Sequence, residues 1–245
     1  VRRALGLGIS GVPQRPQPLR MPLEVERREK GTKRDDKLVD FRGRTPHAEV
    51  VVVRRERCAG GSRERVCRRL RLNGEVVLGG RSACQREALV LPLLNLLGRR
   101  ARRVLVLGGG AGGLASLVLK FPQVERLLVV DIDTRLTELA RRWFPEAAAA
   151  FGDPRTELVA ADAFQWLRTA TEKFDAVLVN LEREPWRNAS RTSRIPRTAA
   201  FIRGLAARLE PHGVLAQGIG TIATLRHSAL MLDLHRAVFP TVRPM

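Results

Sequence analysis

Short apolar runs alternate with helical segments throughout the second half of the chain. After Arg103, each of five runs rich in Val, Leu and Ala is followed by a segment with the spacing of an amphipathic helix. Strands with so few polar positions are covered on both faces, which predicts an α/β fold with a mostly parallel sheet and crossover helices. The predicted strands are 104–107, 127–130, 157–160, 176–179 and 214–216, and the predicted helices are 113–120, 134–143, 163–170, 198–209 and 223–238.

The first third of the chain has a different pattern. Residues 1–43 mix Gly, Pro and charge without apolar periodicity, so we expect a disordered basic arm there. Residues 44–80 contain a β-branched run, an alternating run and the turn pair Asn73-Gly74, which together predict a small antiparallel β-unit. We therefore expect the larger α/β domain to occupy residues 81–245.

Length and composition narrow the class of protein. A chain of 245 residues with 44% hydrophobic content can bury a full α/β core. Its apolar runs are shorter than the roughly 18 residues that a membrane helix needs, so we expect no membrane association and a cytoplasmic location. The three cysteines and four histidines lack metal-ligand spacing, so we expect neither a disulfide framework nor a bound metal.

The charge is strongly positive and unevenly distributed. The formal net charge is +19, and most of the excess lies in residues 1–103. Clustered arginines can neutralise phosphates, but no aromatic side chains alternate with them as base-stacking platforms would. We interpret the excess positive charge as a bias toward arginine and do not expect nucleic-acid binding. Because the N-terminal arm is basic, nucleic-acid binding stays the alternative interpretation.

A glycine turn carries the strongest local signal for ligand binding. The strand 104–107 continues directly into Gly-Gly-Gly-Ala-Gly-Gly at 108–113, and a helical segment follows at once. Glycines allow close approach of a ligand to the backbone, and the start of a helix offers unpaired N–H groups. The candidate binding residues of this turn are Gly108, Gly110 and Gly113, although the spacing G-x-G-x-x-G is a weak motif when it stands alone.

Two aspartates follow the next two predicted strands. Asp131 ends the second strand, where its carboxylate could accept both hydroxyls of a ribose. This position suits a dinucleotide and an adenosyl sulfonium equally well. Asp162 and Ala163 follow the third strand, where an acid could accept from an adenine amino group or could simply cap the next helix. Because such an acid has no fixed place in a dinucleotide site, the three strand ends together favour an adenosyl sulfonium cosubstrate.

A series of short motifs runs in order from Leu72 to Pro244. They are Leu72-Asn73-Gly74, the 108–113 loop, Val130-Asp131-Ile132-Asp133, Trp143-Phe144-Pro145, Asp153-Pro154-Arg155, Asp162, Phe174-Asp175 and 238–244. In this order of motifs the segment resembles the spermidine synthase (polyamine aminopropyltransferase) family and its methyltransferase-like relatives. The resemblance implies a Rossmann-like domain of the class I S-adenosylmethionine-dependent methyltransferase type, preceded by a small β-unit. It also implies S-adenosylmethionine or its decarboxylated form as cosubstrate and an amine or protein acceptor, without a metal, and it is compatible with a homodimer.

The chain departs from the family pattern where the acceptor should bind and react. The resemblance implies an acid in the glycine loop, where this chain has Ala111, and a catalytic acid after the fourth strand, where this chain has Asn180. An amide cannot take the proton of an attacking amine. Glu182 or Glu184 could substitute for that acid. The polar family residues of the hairpin region correspond to His47, Ala48 and Val77. The expected acceptor pocket is therefore eroded, whereas the nucleoside pocket is intact.

Three functions remain open at this level. The first is transfer of an aminopropyl group to an amine by a protein that binds decarboxylated S-adenosylmethionine or S-adenosylmethionine. The second is methyl transfer from S-adenosylmethionine, and the third is a catalytically impaired nucleoside-binding module. Because the sequence begins with Val1 and ends at Met245, we also expect the natural start and the closing strands of the sheet to be missing.

Overall fold

The computed structural model describes residues 38–55, 67–79, 82–181, 198–218 and 225–244. These residues form a four-stranded antiparallel sheet and a five-stranded parallel sheet with helices on both faces. The predicted α/β class and parallel sheet are confirmed. Of the disordered arm predicted for residues 1–43, residues 1–37 lie outside the described residues, and residues 38–43 belong to a strand instead.

The elements run in the order β1 to β4, α1, β5, α2, β6, α3, α4, β7, α5, β8, α6, β9 and α7. The strands are β1 Leu38–Arg44, β2 Glu49–Arg55, β3 Cys67–Leu72, β4 Glu75–Leu78, β5 Arg103–Leu107, β6 Arg126–Asp131, β7 Thr156–Ala160, β8 Phe174–Val179 and β9 Leu209–Gln217. The α-helices are α1 Ser82–Leu97, α2 Gly113–Val118, α3 Thr134–Trp143, α4 Pro145–Gly152, α5 Ala163–Thr169, α6 Ala199–Ala207 and α7 Leu225–Arg236. No helix within these described ranges is both long enough and apolar enough to span a bilayer.

The parallel sheet has the order β7-β6-β5-β8-β9. Its central strands β5 and β8 are almost wholly buried, as the apolar runs 104–107 and 176–179 predict. One face packs against α1 and α2, and the other packs against α5, α6 and α7. Because all five strands are parallel, their carboxyl ends lie along one edge of the sheet.

The small sheet has the strand order β1-β2-β3-β4. Its β1 begins at Leu38, so the sheet starts before the boundary at residue 44 that the sequence suggested. Charged residues interrupt β1, and Phe41 is its buried side chain, so the apolar signal of this strand is weak. The turn between β3 and β4 has positive φ at both Asn73 and Gly74, as expected for this pair.

Two helices that the apolar spacing did not predict complete the fold. Helix α1 continues through Pro92, although an interior proline normally costs a helix about 3 kcal/mol. Burial of Leu94 and Leu97, among others, outweighs that local preference. Helix α4 has Pro145 at its start, where the missing N–H is harmless.

The small sheet packs on α3 and α4 and so lies beside the end of β6. Phe41, Val50 and Leu70 share a buried cluster with Leu136 and Phe144. In the turn between β1 and β2, the Thr45 hydroxyl donates a hydrogen bond to Oδ2 of Asp133, which caps α3 through its other oxygen. This contact joins the antiparallel unit to the edge of the large sheet that carries the predicted site.

Candidate functional site

The site lies at the carboxyl edge of the parallel sheet, where the strand order changes direction. β5 pairs with β6 on one side and with β8 on the other. The chain runs outward from β5 through β6 to β7 and then crosses back to β8 on the other side of β5. Ligands of open α/β sheets bind in the crevice that forms at such a switch point. Here that position lies between Gly108, which follows β5, and Asn180, which follows β8, and we refer to it as the crevice.

The glycine turn after β5 is packed tightly against protein atoms. Gly108 has a φ of +79°, and a Cβ there would lie 2.5 Å from the backbone oxygen of Asn180. A Cβ at Gly110 would lie 2.8 Å from Oδ2 of Asp131. Steric fit within the fold therefore requires these glycines, whether or not a ligand approaches them, so their presence is weaker evidence for binding than the sequence pattern suggested.

Asp131 is bound to the glycine turn through its carboxylate. Oδ2 accepts a hydrogen bond of 2.6 Å from the N–H of Gly110, and Oδ1 accepts one of 2.9 Å from the N–H of Asp133. Burial raises the pKa of this carboxyl above its ordinary value, while the N–H groups of Asp133 and Gly110 and the nearby His47 act in the opposite direction. Each carboxylate oxygen can accept more than one hydrogen bond, so both can also receive ribose hydroxyls.

Asp162 lies at the end of the neighbouring strand. β7 pairs with β6 so that Asp131 is opposite Ala160, and the N–H of Ala161 donates to the backbone oxygen of Asp131. Asp162 follows and caps α5, since its Oδ1 accepts from the N–H of Gln165. Its Oδ2 has no hydrogen-bond partner among the described residues, and that oxygen can still accept from a ligand.

Asn180 holds the other side of the crevice. Its side-chain amide donates a 3.0 Å hydrogen bond to the carbonyl of Gly108, and its backbone N–H donates to Leu107 at 2.8 Å. The amide is thus engaged with the protein backbone. Glu182 and Glu184, the sequence's candidates for a replacement acid, lie outside the described residues.

The remaining predicted positions lie behind the crevice. Gly113 packs on Leu78 of β4 and on the side chain of Arg86 of α1. Ala163 is buried in the core against α6 and α7. Ala111, at the position where the resemblance implies an acid, packs with Val77 against the apolar cluster under the small sheet. The side chains of Ala111 and Val77 next to the glycine turn are therefore apolar, at positions where the family resemblance implies polar groups.

The sequence did not predict the part that the β1–β2 turn takes in this site. Thr45 anchors this turn on Asp133, and the exposed His47 lies close enough to Asp131 to offset electrostatically a part of the rise in pKa that burial causes. The resemblance placed His47 in the acceptor region, but nothing in its spacing related it to Asp131. Such a contact between distant segments becomes visible only when the two sheets are docked.

The order of the strand ends gives the candidate site a direction. Asp162 on β7, Asp131 on β6 and Gly108 on β5 follow one another along the edge. An adenosyl group with its base at Asp162 and its ribose at Asp131 would extend its sulfonium tail toward Gly108 and Asn180. The three predicted positions thus lie in one row along the carboxyl edge of the parallel sheet.

Comparison with known proteins identifies the family. The family model of the spermine/spermidine synthase domain matches residues 87–244, and the chain belongs to this family. Over 120 residues the chain is 47% identical to polyamine aminopropyltransferase 2 of Ralstonia nicotianae, covering 46% of this chain and 22% of the relative. Over 158 residues it is 35% identical to the polyamine aminopropyltransferase of Saccharolobus solfataricus, covering 64% of this chain and 50% of the relative. The chain spans half or less of the length of these curated relatives.

Solved structures agree with the fold. A spermidine synthase in complex with the transition state analogue AdoDATO superposes with a TM-score of 0.72 and 21% identity, covering 83% of this chain and 66% of the other. The spermidine synthase of Thermotoga maritima gives a TM-score of 0.70 and 20% identity, with 83% and 65% coverage. The Rossmann-like domain and the small antiparallel sheet before it are therefore both features of this fold.

Proposed function

We propose that the protein binds the adenosyl part of decarboxylated S-adenosylmethionine and transfers its aminopropyl group to a small-molecule amine. The observation that carries this proposal is the row of Gly108, Asp131 and Asp162 at three adjacent strand ends. Membership of the spermine/spermidine synthase family supports the choice of donor and reaction.

Each of the binding residues has a distinct part in this proposal. Gly108 and Gly110 form the floor of the site, and the carboxylate of Asp131 receives the two ribose hydroxyls. Oδ2 of Asp162 accepts from the adenine amino group while Oδ1 keeps its bond to the α5 N-terminus. Gly113 and Ala163 act indirectly, since both pack behind the residues that face the crevice.

The reaction itself requires an uncharged amine in line with the sulfonium carbon. The nitrogen lone pair forms the new C–N bond, the C–S bond breaks, and sulfur keeps its electron pair as a neutral thioether. The nitrogen then loses a proton to a base or to water. Holding the two reactants in line supplies most of the acceleration in such a displacement. The amide of Asn180 cannot accept this proton, so Glu182 is our candidate for the base.

Methyl transfer from S-adenosylmethionine is the second candidate, and Ala111 is the observation that favours it. The apolar contact of Ala111 with the cluster under the small sheet leaves no acid at this position for the amino group of a decarboxylated donor. Ordinary S-adenosylmethionine has its own carboxylate, which could occupy the glycine-turn region. A protein acceptor belongs with this alternative.

Product analysis separates these functions. The chain is incubated with each donor and a panel of diamines, and the nucleoside products are measured by mass spectrometry. Aminopropyl transfer predicts 5′-methylthioadenosine that depends on enzyme, decarboxylated donor and amine together. Release of S-adenosylhomocysteine from the ordinary donor would instead support methyl transfer. If neither product forms while the nucleoside binds, the chain is a nucleoside-binding module.

A further inference from the structure

The side chain of Asn180 connects the ends of β8 and β5. Its Nδ2 donates to the carbonyl of Gly108 across 3.0 Å, and its backbone N–H donates to the carbonyl of Leu107 across 2.8 Å. On the other side of the turn, the N–H of Gly108 donates to Val130 of β6 at 2.9 Å. Gly108 is thus held between the two strands that flank β5.

The orientation of the Gly108 carbonyl matters because the turn starts in an unusual backbone conformation. Gly108 has a φ of +79°, and its Cα lies so close to Asn180 that a Cβ would approach the Asn180 carbonyl carbon to 2.9 Å. Two residues further on, the N–H of Gly110 reaches Asp131. A rotation of the Gly108 peptide would therefore change the path of the turn toward Gly110.

We infer that Asn180 is a positioning residue of the nucleoside site, not merely a catalytic acid that has been lost. Its amide fixes the carbonyl of Gly108, and through the turn it fixes the N–H of Gly110 and the carboxylate of Asp131. The inference rests on the proposed function, because its effect on ligand binding is defined only if the nucleoside binds at Asp131.

An ionised aspartate at position 180 would repel the Gly108 carbonyl instead of holding it in place. A carboxylate has no hydrogen to donate, so its oxygen would face the Gly108 carbonyl oxygen and repel it. A protonated aspartate could donate again. No ionisable side chain in the described part of the protein forms a hydrogen bond or ion pair with Asn180. The other carboxylates of this edge are Asp131, bound to two N–H groups, and Asp162, bound to one.

Two substitutions distinguish positioning from simple loss of the acid. Asn180→Ala removes the donor at every pH, whereas Asn180→Asp removes it only while the new carboxyl is ionised. Affinity for 5′-methylthioadenosine is measured by calorimetry from about pH 8 down to about pH 3, on either side of an ordinary aspartate pKa of about 3.9. At each pH the variant is compared with the unsubstituted chain, so that the shared effect of protonating Asp131 cancels.

We expect both variants to bind about three- to tenfold more weakly near neutral pH, the effect of one net hydrogen bond. As the pH falls, Asn180→Asp should recover toward the affinity of the unsubstituted chain, while Asn180→Ala should not. Unchanged affinity of Asn180→Asp at every pH would overturn the inference. It would equally be overturned if Asn180→Asp gained aminopropyl transfer with full nucleoside affinity, because the residue would then be only a missing acid.

Thermal unfolding keeps this inference separate from the proposed function. If the unsubstituted chain does not bind 5′-methylthioadenosine, the proposed function fails, and the melting temperatures still test the bond to Gly108. Lower stability of Asn180→Asp than of the unsubstituted chain at neutral pH, with equal stability at low pH, supports the bond. Equal stability throughout overturns it.

Discussion

Replacing Gly110 by alanine would place a methyl group against the carboxylate of Asp131. The new Cβ would lie 2.8 Å from both Cγ and Oδ2 of Asp131 and 3.1 Å from Oδ1. Gly110 is not among the glycines with positive φ, so the backbone itself tolerates alanine. The perturbation therefore acts on the carboxylate rather than on the backbone conformation.

The expected magnitude follows from the contact that must break. Separations below 3.0 Å cannot persist, so the carboxylate must shift away from the new Cβ, which strains its 2.6 Å hydrogen bond from the N–H of Gly110 and displaces its oxygens from the ligand position. A hydrogen bond to a charged group contributes about 1.5–3 kcal/mol. Because the same carboxylate would receive the ribose hydroxyls, we expect Gly110→Ala to weaken nucleoside binding by about 10- to 150-fold.

Calorimetry with 5′-methylthioadenosine measures this effect, and Gly204→Ala is a matched control. In α6, a Cβ at Gly204 would lie 3.6 Å from its nearest neighbour, which is ordinary contact. An alanine there should stabilise the helix by about 0.5–1 kcal/mol and leave the affinity unchanged. A double-mutant cycle with Asp131→Ala adds a second test, because Gly110→Ala should have little further effect once the carboxylate is gone.

The reasoning would be refuted if Gly110→Ala bound the nucleoside as well as the unsubstituted chain does. It would also be refuted if the effects of Gly110→Ala and Asp131→Ala on binding were additive. Either result would mean that the carboxylate does not receive the ligand next to Gly110.

Three further predictions concern neighbouring groups. Nucleoside affinity should decline as the pH is lowered, because the proposed acceptor is the ionised carboxylate of Asp131. Burial raises the pKa of Asp131, so the decline should begin at a higher pH than for an ordinary aspartate. Constant affinity in calorimetry down to about pH 4 would contradict this. Asp162→Ala and Thr198→Ala should each destabilise the protein by about 1 kcal/mol through loss of a helix cap. Only Asp162→Ala should weaken nucleoside binding, and equal binding by both variants would remove Asp162 from the site. Thr45→Val should lower the free energy of unfolding by about 1 kcal/mol in chemical denaturation, because it removes the hydroxyl that binds Asp133. An unchanged free energy of unfolding would show that this bond does not hold the two sheets together.

The parallel sheet and its carboxyl edge could be predicted because their signals are local. The apolar runs at β5, β6 and β8 are uninterrupted, and the polar or glycine residue that ends each run marks the carboxyl edge. Asp133 directly precedes α3 and caps it through its carboxylate, whereas Asp131 ends β6.

Other features depend on tertiary contacts and could not be predicted in this way. Pro92 argues against a helix at α1, yet the apolar side chains around it are buried between the sheet and α2. The bond from Asn180 to Gly108 joins residues 72 positions apart, and the resemblance suggested only that an acid was missing. The contact of Thr45 with Asp133 likewise requires the small sheet to be docked on α3.

A crystal structure of the chain with 5′-methylthioadenosine tests the nucleoside site most directly. We predict both ribose hydroxyls within hydrogen-bonding distance of the Asp131 carboxylate, the adenine amino group at Asp162, and the sulfur over the turn between Gly108 and Asn180. Density for the nucleoside at any other part of the sheet, with Asp131 still bound only to the N–H groups of Gly110 and Asp133, would contradict the assignment.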